Sequence, residues 1–134
     1  MKRYAAMAFV GMGALVACAA TEMPTPSEGQ ALFAQNCASC HGADARGNPA
    51  AGAAVPDLTR IALLPDGAFP RTRILSEIDG YTRVREPGQR HHVMPEFGVL
   101  LDGETVPVTL EDGTISPVPR PLAALLAYLE SVQG

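Results

Sequence analysis

Tryptophan is absent from this sequence, aromatic residues make up only 5% of it, and lysine occurs once, at Lys2. With so few large rings, a loop-rich chain of this size builds only a thin core from its own side chains. Beyond the amino terminus no apolar run approaches the ~20 residues that a membrane-spanning helix needs. That excludes a transmembrane helix from the main body of the chain. Clustered positive charge is missing too, which argues against a nucleic-acid partner. No nucleophile–base pair or paired carboxylates of a hydrolytic site can be picked out, so the chain reads as a non-enzyme. The three cysteines, Cys18, Cys37 and Cys40, are an odd number and do not make a disulfide framework. No internal repeat is present.

What is present begins with an export signal. Met1-Lys2-Arg3 is positively charged, and Tyr4 to Ala17 is almost wholly apolar or small. That run is too short to cross a bilayer comfortably and reads as the core of a secretory signal over residues 1–17. It ends in Leu15-Val16-Ala17-Cys18, which resembles the lipobox of bacterial lipoproteins. The resemblance implies lipidation of Cys18, a mature chain starting there, and a membrane tether on the periplasmic side. Ordinary cleavage a residue or two later is the alternative. Without residues 1–17 the chain keeps eight basic residues, all arginine, against fourteen acidic ones, a formal charge of −6. Such a surface favours partners with a positive docking face.

Residues 18–26 then read as anchor and tether, and residues 27–134 as one folded domain. Ser27 with Gln30 fits a capping box, predicting a helix over Glu28–Asn36 that runs into Cys37. From Gly42 to Pro70 the chain is rich in Gly, Ala and Pro and reads as loop with room for one short turn of helix. A helix is predicted over Arg71–Asp79, with Ile74, Leu75 and Ile78 on one face and Gly80 ending it. Val106, Val108 and Leu110 alternate with polar residues, and Asp102-Gly103 and Asp112-Gly113 are hairpin-turn signals. Pro107, Pro117 and Pro119 restrict these strands to sheet edges. A last helix is predicted from Pro121, with Leu122, Leu125, Leu126, Leu129 and Val132 at helical spacing and Gly134 closing it.

The chemistry is concentrated in Cys37-Ala38-Ser39-Cys40-His41. Two cysteines three apart, followed at once by histidine, form the attachment pattern of a c-type haem. On one helical turn the two sulfurs reach the two vinyl groups at one porphyrin edge, and the next residue presents its imidazole to the iron. Other readings are a thioredoxin-like redox pair, a zinc site and a plain disulfide. The first wants a strand before the motif, whereas a helix is predicted there. The second needs two more ligands, with only His91 and His92 at hand. The third leaves His41 unexplained.

Around this motif, Gly29-Gln30-Ala31-Leu32-Phe33, Asn36 to Gly42, Val55-Pro56-Asp57-Leu58, Met94-Pro95-Glu96-Phe97-Gly98 and Tyr128-Leu129 together resemble the class I monohaem cytochromes c, from about Ser27 to Val132. The resemblance implies an all-α cytochrome c fold whose first and last helices cross beside one haem c, bound covalently through Cys37 and Cys40. Gly29 would allow close approach at that crossing, with Phe33 and Tyr128 packed in it. His41 would be one axial ligand, and the Pro56 carbonyl would orient its ring. Met94, the only methionine after Met23, would be the other ligand, and a thioether there raises the haem potential. His91 or His92 is the rival ligand. Arg83, Arg85, Arg90 and Tyr81 are candidates to pair with the haem propionates. The chain departs from the compact members of the family over Val99–Pro119, where a small β-hairpin intervenes, either as cover for the haem edge, a docking surface or a tolerated insertion.

The function implied is one-electron transfer between redox protein partners outside the cytoplasm. The alternatives are a haem subunit held in a larger dehydrogenase or oxidase, and a haem sensor or peroxidase-like protein with an open iron site.

Overall fold

The computed structural model describes residues 22–51, 55–63, 67–80 and 94–134. Its first helix, α1 (Pro26–Asn36), starts where the Pro26 ring presets a helical φ. Thr25 is the N-cap: its hydroxyl accepts from the Glu28 N–H at 3.4 Å, and the Glu28 carboxylate accepts from the Thr25 N–H at 3.1 Å. The cap therefore lies two residues before Ser27, and Glu28 rather than Gln30 completes the box. A carboxylate is the stronger acceptor for the returning bond, and Pro26 has no N–H to leave unpaired in the first turn. The bond from Thr25, with Arg120 adding to it, holds the Glu28 carboxyl below the usual carboxylate range. Ahead of the helix, Pro24 is buried and Met23 packs against the core.

The chain continues through α2 (Ala38–His41), 3-10 turns at Pro49–Ala51 and Leu58–Leu63, α3 (Arg71–Asp79), β1 (Thr105–Thr109), β2 (Ile115–Pro119) and α4 (Arg120–Ser131). Among the described residues the fold is mostly helical, with a single two-stranded antiparallel sheet.

Eight consecutive residues of α4, Leu122 to Leu129, are buried. The leucine stripe accounts for only one face of this helix. Its other faces, with Ala123, Ala124, Ala127 and Tyr128, are covered because α1, α3 and both strands all pack on it. A helix enclosed on every side is apolar on every side. Against α1 the approach is close: a Cβ on Gly29 would overlap the Ala124 carbonyl and lie 2.7 Å from Tyr128 Cβ. Further along the same crossing the Phe33 and Tyr128 rings meet at 5.1 Å, tilted by 49°. Glycine is required at 29 because no side chain fits between the two backbones. The helix ends at Ser131 with Val132 as its cap. Gly134 does not close it, since its N–H donates to the Thr59 carbonyl instead, while Gln133 Nε2 donates to Leu58 O at 2.7 Å. The carboxyl terminus is thereby fastened to the second 3-10 turn.

In the hairpin, Val106 pairs with Val118, Pro107 with Pro117 and Val108 with Ser116. Val106, Val108 and Val118 are buried and face α4. The prolines belong to the alternate, outward-facing pairs, whose N–H groups point away from the partner strand, so no ladder bond is lost. This is how Pro117 and Pro119 lie inside a strand, and it leaves both outer edges poor templates for further pairing. Asp112-Gly113 makes the turn, with Gly113 left-handed at φ 82 and the Leu110 N–H on Thr114 O. Asp102-Gly103 does not: it is irregular chain before the bend at Glu104 that leads into β1, with Asp102 Oδ1 taking the Gly103 N–H. The inner face of the hairpin is a flank of the hydrophobic core.

Arg71 ties three elements together. From the first residue of α3 its Nε and Nη2 donate to the two carboxylate oxygens of Glu130 on α4, at 2.7 and 3.1 Å, and Nη1 donates to the Thr109 carbonyl at the edge of β1.

Two outcomes follow from this packing. Gly29→Ala is expected to lower the unfolding free energy by about 1–3 kcal/mol, as overpacking does, read from denaturant midpoints at unchanged slope. Arg71→Ala should cost about 1–2 kcal/mol, and Arg71→Lys should recover less than half of it, because an ammonium cannot reproduce the fork.

Candidate functional site

Cys37 joins α1 to α2. Its N–H donates to the Phe33 carbonyl at 2.9 Å as the last bond of α1, and its own carbonyl accepts from Cys40 and His41 at 3.1 and 2.9 Å. That single turn sets the spacing of the motif. Both cysteines are free thiols, Cys40 exposed and Cys37 half-buried. Burial pushes the Cys37 thiol up to about 11, with the neighbouring Cys40 adding to it.

His41, the last residue of α2, is half-buried, with its ring 6.5 Å from that of Phe33. Its Nδ1 is buried and has no hydrogen-bond partner. Burial holds the imidazole below its ordinary pKa, and the Pro56 carbonyl opposes this. A neutral imidazole is the form that ligates a metal.

The loop after the motif is folded back to hold it. Gly47 donates its N–H to His41 O at 2.8 Å, and Asn48 Nδ2 donates to Ser39 O at 3.0 Å. Both bonds satisfy carbonyls that a helix end otherwise leaves open. Gly47 sits at φ 92, where a Cβ would come 2.8 Å from the Val55 carbonyl, so glycine here lets the Val55–Pro56 segment approach. The buried Ala45 is left-handed at φ 61 and donates its N–H to Gly42 O, while its carbonyl accepts from Leu58. Ala45, Gly47 and Asn48 belong to no motif of the sequence. The one local signal is the pair Gly42 and Gly47, which bracket Ala43-Asp44-Ala45-Arg46 directly after the histidine.

Met94 is half-buried and packs against the same core cluster as Cys37 and Ala38. After it come the exposed Pro95 and Glu96 and the half-buried Phe97 and Gly98. Cys18, Tyr81, Arg83, Arg85, Arg90, His91 and His92 lie outside the described residues. Among those described, no three His, Cys, Asp or Glu side chains converge as ligands for a bare metal ion.

Two thiols one helical turn apart and an adjacent half-buried imidazole fit a porphyrin better than a lone ion. The family comparison agrees. Residues 26–109 match the model of the cytochrome c family, more than half of the chain, and the chain belongs to that family. Membership implies a covalently bound haem c and haem-based electron transfer. No curated protein and no solved structure matches it. No helix among the described residues is long and apolar enough to cross a membrane.

The thiols differ in a measurable way. In chain produced without haem attachment, at pH 8, Cys37 should carry about a hundredfold less thiolate than an ordinary cysteine. Brief iodoacetamide treatment is therefore expected to modify Cys40 and spare Cys37, read by peptide mass spectrometry. Equal modification would contradict the burial of Cys37.

Proposed function

We propose that this chain is an exported one-electron carrier holding one haem c through thioethers at Cys37 and Cys40, with His41 and Met94 as axial ligands. The observation that carries the reading is the set formed by His41 and the two free thiols on one helical turn. A haem bound there supplies a ferric–ferrous couple. The residues around it do the rest. Covalent attachment retains the group in a small protein that has few aromatic side chains to enclose it. His41 supplies a neutral nitrogen, and the Pro56 carbonyl beside it favours an Nδ1–H tautomer, leaving Nε2 for the iron. Met94 supplies a soft thioether, which favours the ferrous state and raises the potential. The α1–α4 crossing, with Phe33 between Tyr128 and His41, lies beside the haem in this reading. Lipid on Cys18 tethers the domain on the periplasmic side, and the acidic surface meets redox partners with a basic face.

The test uses protein matured in a host able to attach c-type haem. Wild type should show sharp reduced bands, haem staining that survives a denaturing gel, and a ferric thioether-to-iron absorption band. Met94→Ala should abolish that band and lower the potential, whereas a band that persists would remove Met94 from the iron. Cys37→Ser with Cys40→Ser should abolish covalent staining. Cys18→Ser should move the protein from the membrane to the soluble fraction.

A further inference from the structure

The end of α3 and the segment after Met94 are built to touch through their backbones. Gly80 closes α3 in the left-handed conformation, at φ 93, with its N–H on Ser76 O. The two carbonyls before it face the other segment: Ile78 O accepts from the Phe97 N–H at 3.0 Å, and Asp79 O accepts from the Gly98 N–H at 3.2 Å. There is no room for a side chain at either glycine. A Cβ on Gly98 would overlap Asp79 Oδ1 and lie 2.9 Å from the Asp79 carbonyl oxygen, and one on Gly80 would lie 2.9 Å from Glu96 Cβ. The Asp79 side chain can swing aside, but the carbonyl cannot move without disturbing the helix. Gly98 has no left-handed φ, so the contact alone demands glycine there.

This junction is referenced to the rigid part of the fold. Leu75 and Ile78 place α3 in the core against α4, and Arg71 pins its first turn to Glu130. Met94 is three residues before the first of the two bonds, and Pro95, with its fixed φ, removes one degree of freedom between them. We infer that Gly98 is a positioning residue for Met94: it lets residues 96–98 bond to the end of α3, and that mooring holds the thioether in place for the iron. The inference rests on Met94 being the axial ligand. Release of the thioether then requires the mooring to yield, and weakening the mooring raises the population of the released state.

Imidazole added to the ferric protein is the probe. It enters as the iron–sulfur bond breaks and an iron–nitrogen bond forms, with no change of oxidation state. Its apparent affinity therefore reports how readily Met94 is released. Gly98→Ala is expected to keep the thioether band and to bind imidazole about tenfold more tightly than wild type. Gly103→Ala, where a Cβ meets only Pro121 at ordinary contact distance, should bind it as wild type does. Met94→Ala should lack the band and bind imidazole most tightly of all. Wild-type imidazole affinity in Gly98→Ala, with Met94→Ala behaving as stated, overturns the mooring and leaves the ligand assignment standing. A thioether band surviving in Met94→Ala overturns both. Should Gly98→Ala fail to fold, amide exchange on the unmutated protein decides. Saturating imidazole should speed exchange at Phe97 and Gly98 about tenfold or more while Cys37 and Val132 stay unchanged, by the reciprocity of coupled equilibria. Unchanged exchange at Phe97 and Gly98 overturns the inference.

Discussion

At the crossing of α1 and α4 the two backbones come so close that Gly29 can carry no side chain beneath the Ala124 carbonyl. Most of the molecule is arranged around that contact. Because α1 lies directly on α4, Phe33 reaches Tyr128 on one side and His41 on the other. Because α1 ends in a bond from Cys37 to Phe33, the attachment motif starts from a fixed point on the crossing. The two ends of the interface are fastened separately. Arg120 at the start of α4 holds Glu28 and the Glu22 carbonyl, and Gln133 and Gly134 at the far end hold the Leu58–Thr59 turn.

The hairpin makes sense in the same frame. A small domain with few aromatic residues has little apolar surface with which to bury a central helix, and α4 would otherwise have an uncovered side. Val106, Val108 and Val118 cover it. The proline-bearing pairs face outward and cost the ladder nothing, and they keep the free edges from recruiting other strands. The hairpin thus completes the core of the domain, and the family match reaches only as far as the end of its first strand.

At the site, the structure shows how a short polar loop does work that a larger protein would leave to packing. Gly47 and Asn48 close the carbonyls of α2, Ala45 accepts a left-handed conformation, and the Val55–Pro56 backbone is drawn up beside His41. Beyond Met94, which packs against the core, Phe97 and Gly98 bond to the end of α3. The backbone approaches beside His41 and after Met94 both need glycine, Gly47 against the Val55 carbonyl and Gly98 against the Asp79 carbonyl.

The motif at residues 37–41, the alternation at Val106 and Val108, the leucine stripe of α4 and the close approach at Gly29 were all legible in the sequence. Each is written in local spacing or in a short run of residue types. The cap of α1 lies at Thr25 and not at Ser27, because two overlapping capping patterns compete within four residues and proline stereochemistry decides between them. Tertiary structure alone decided what covers the rest of α4, why Pro117 can lie within a strand, where Gly134 bonds, and that Gly98 meets the end of α3. These depend on partners distant in the chain, and sequence spacing carries no record of which backbone carbonyl an amide finally meets. The sequence by itself thus determined that two thiols and an imidazole stand together in one short run, because that spacing is local, and only the folded chain decided which backbone contacts hold them.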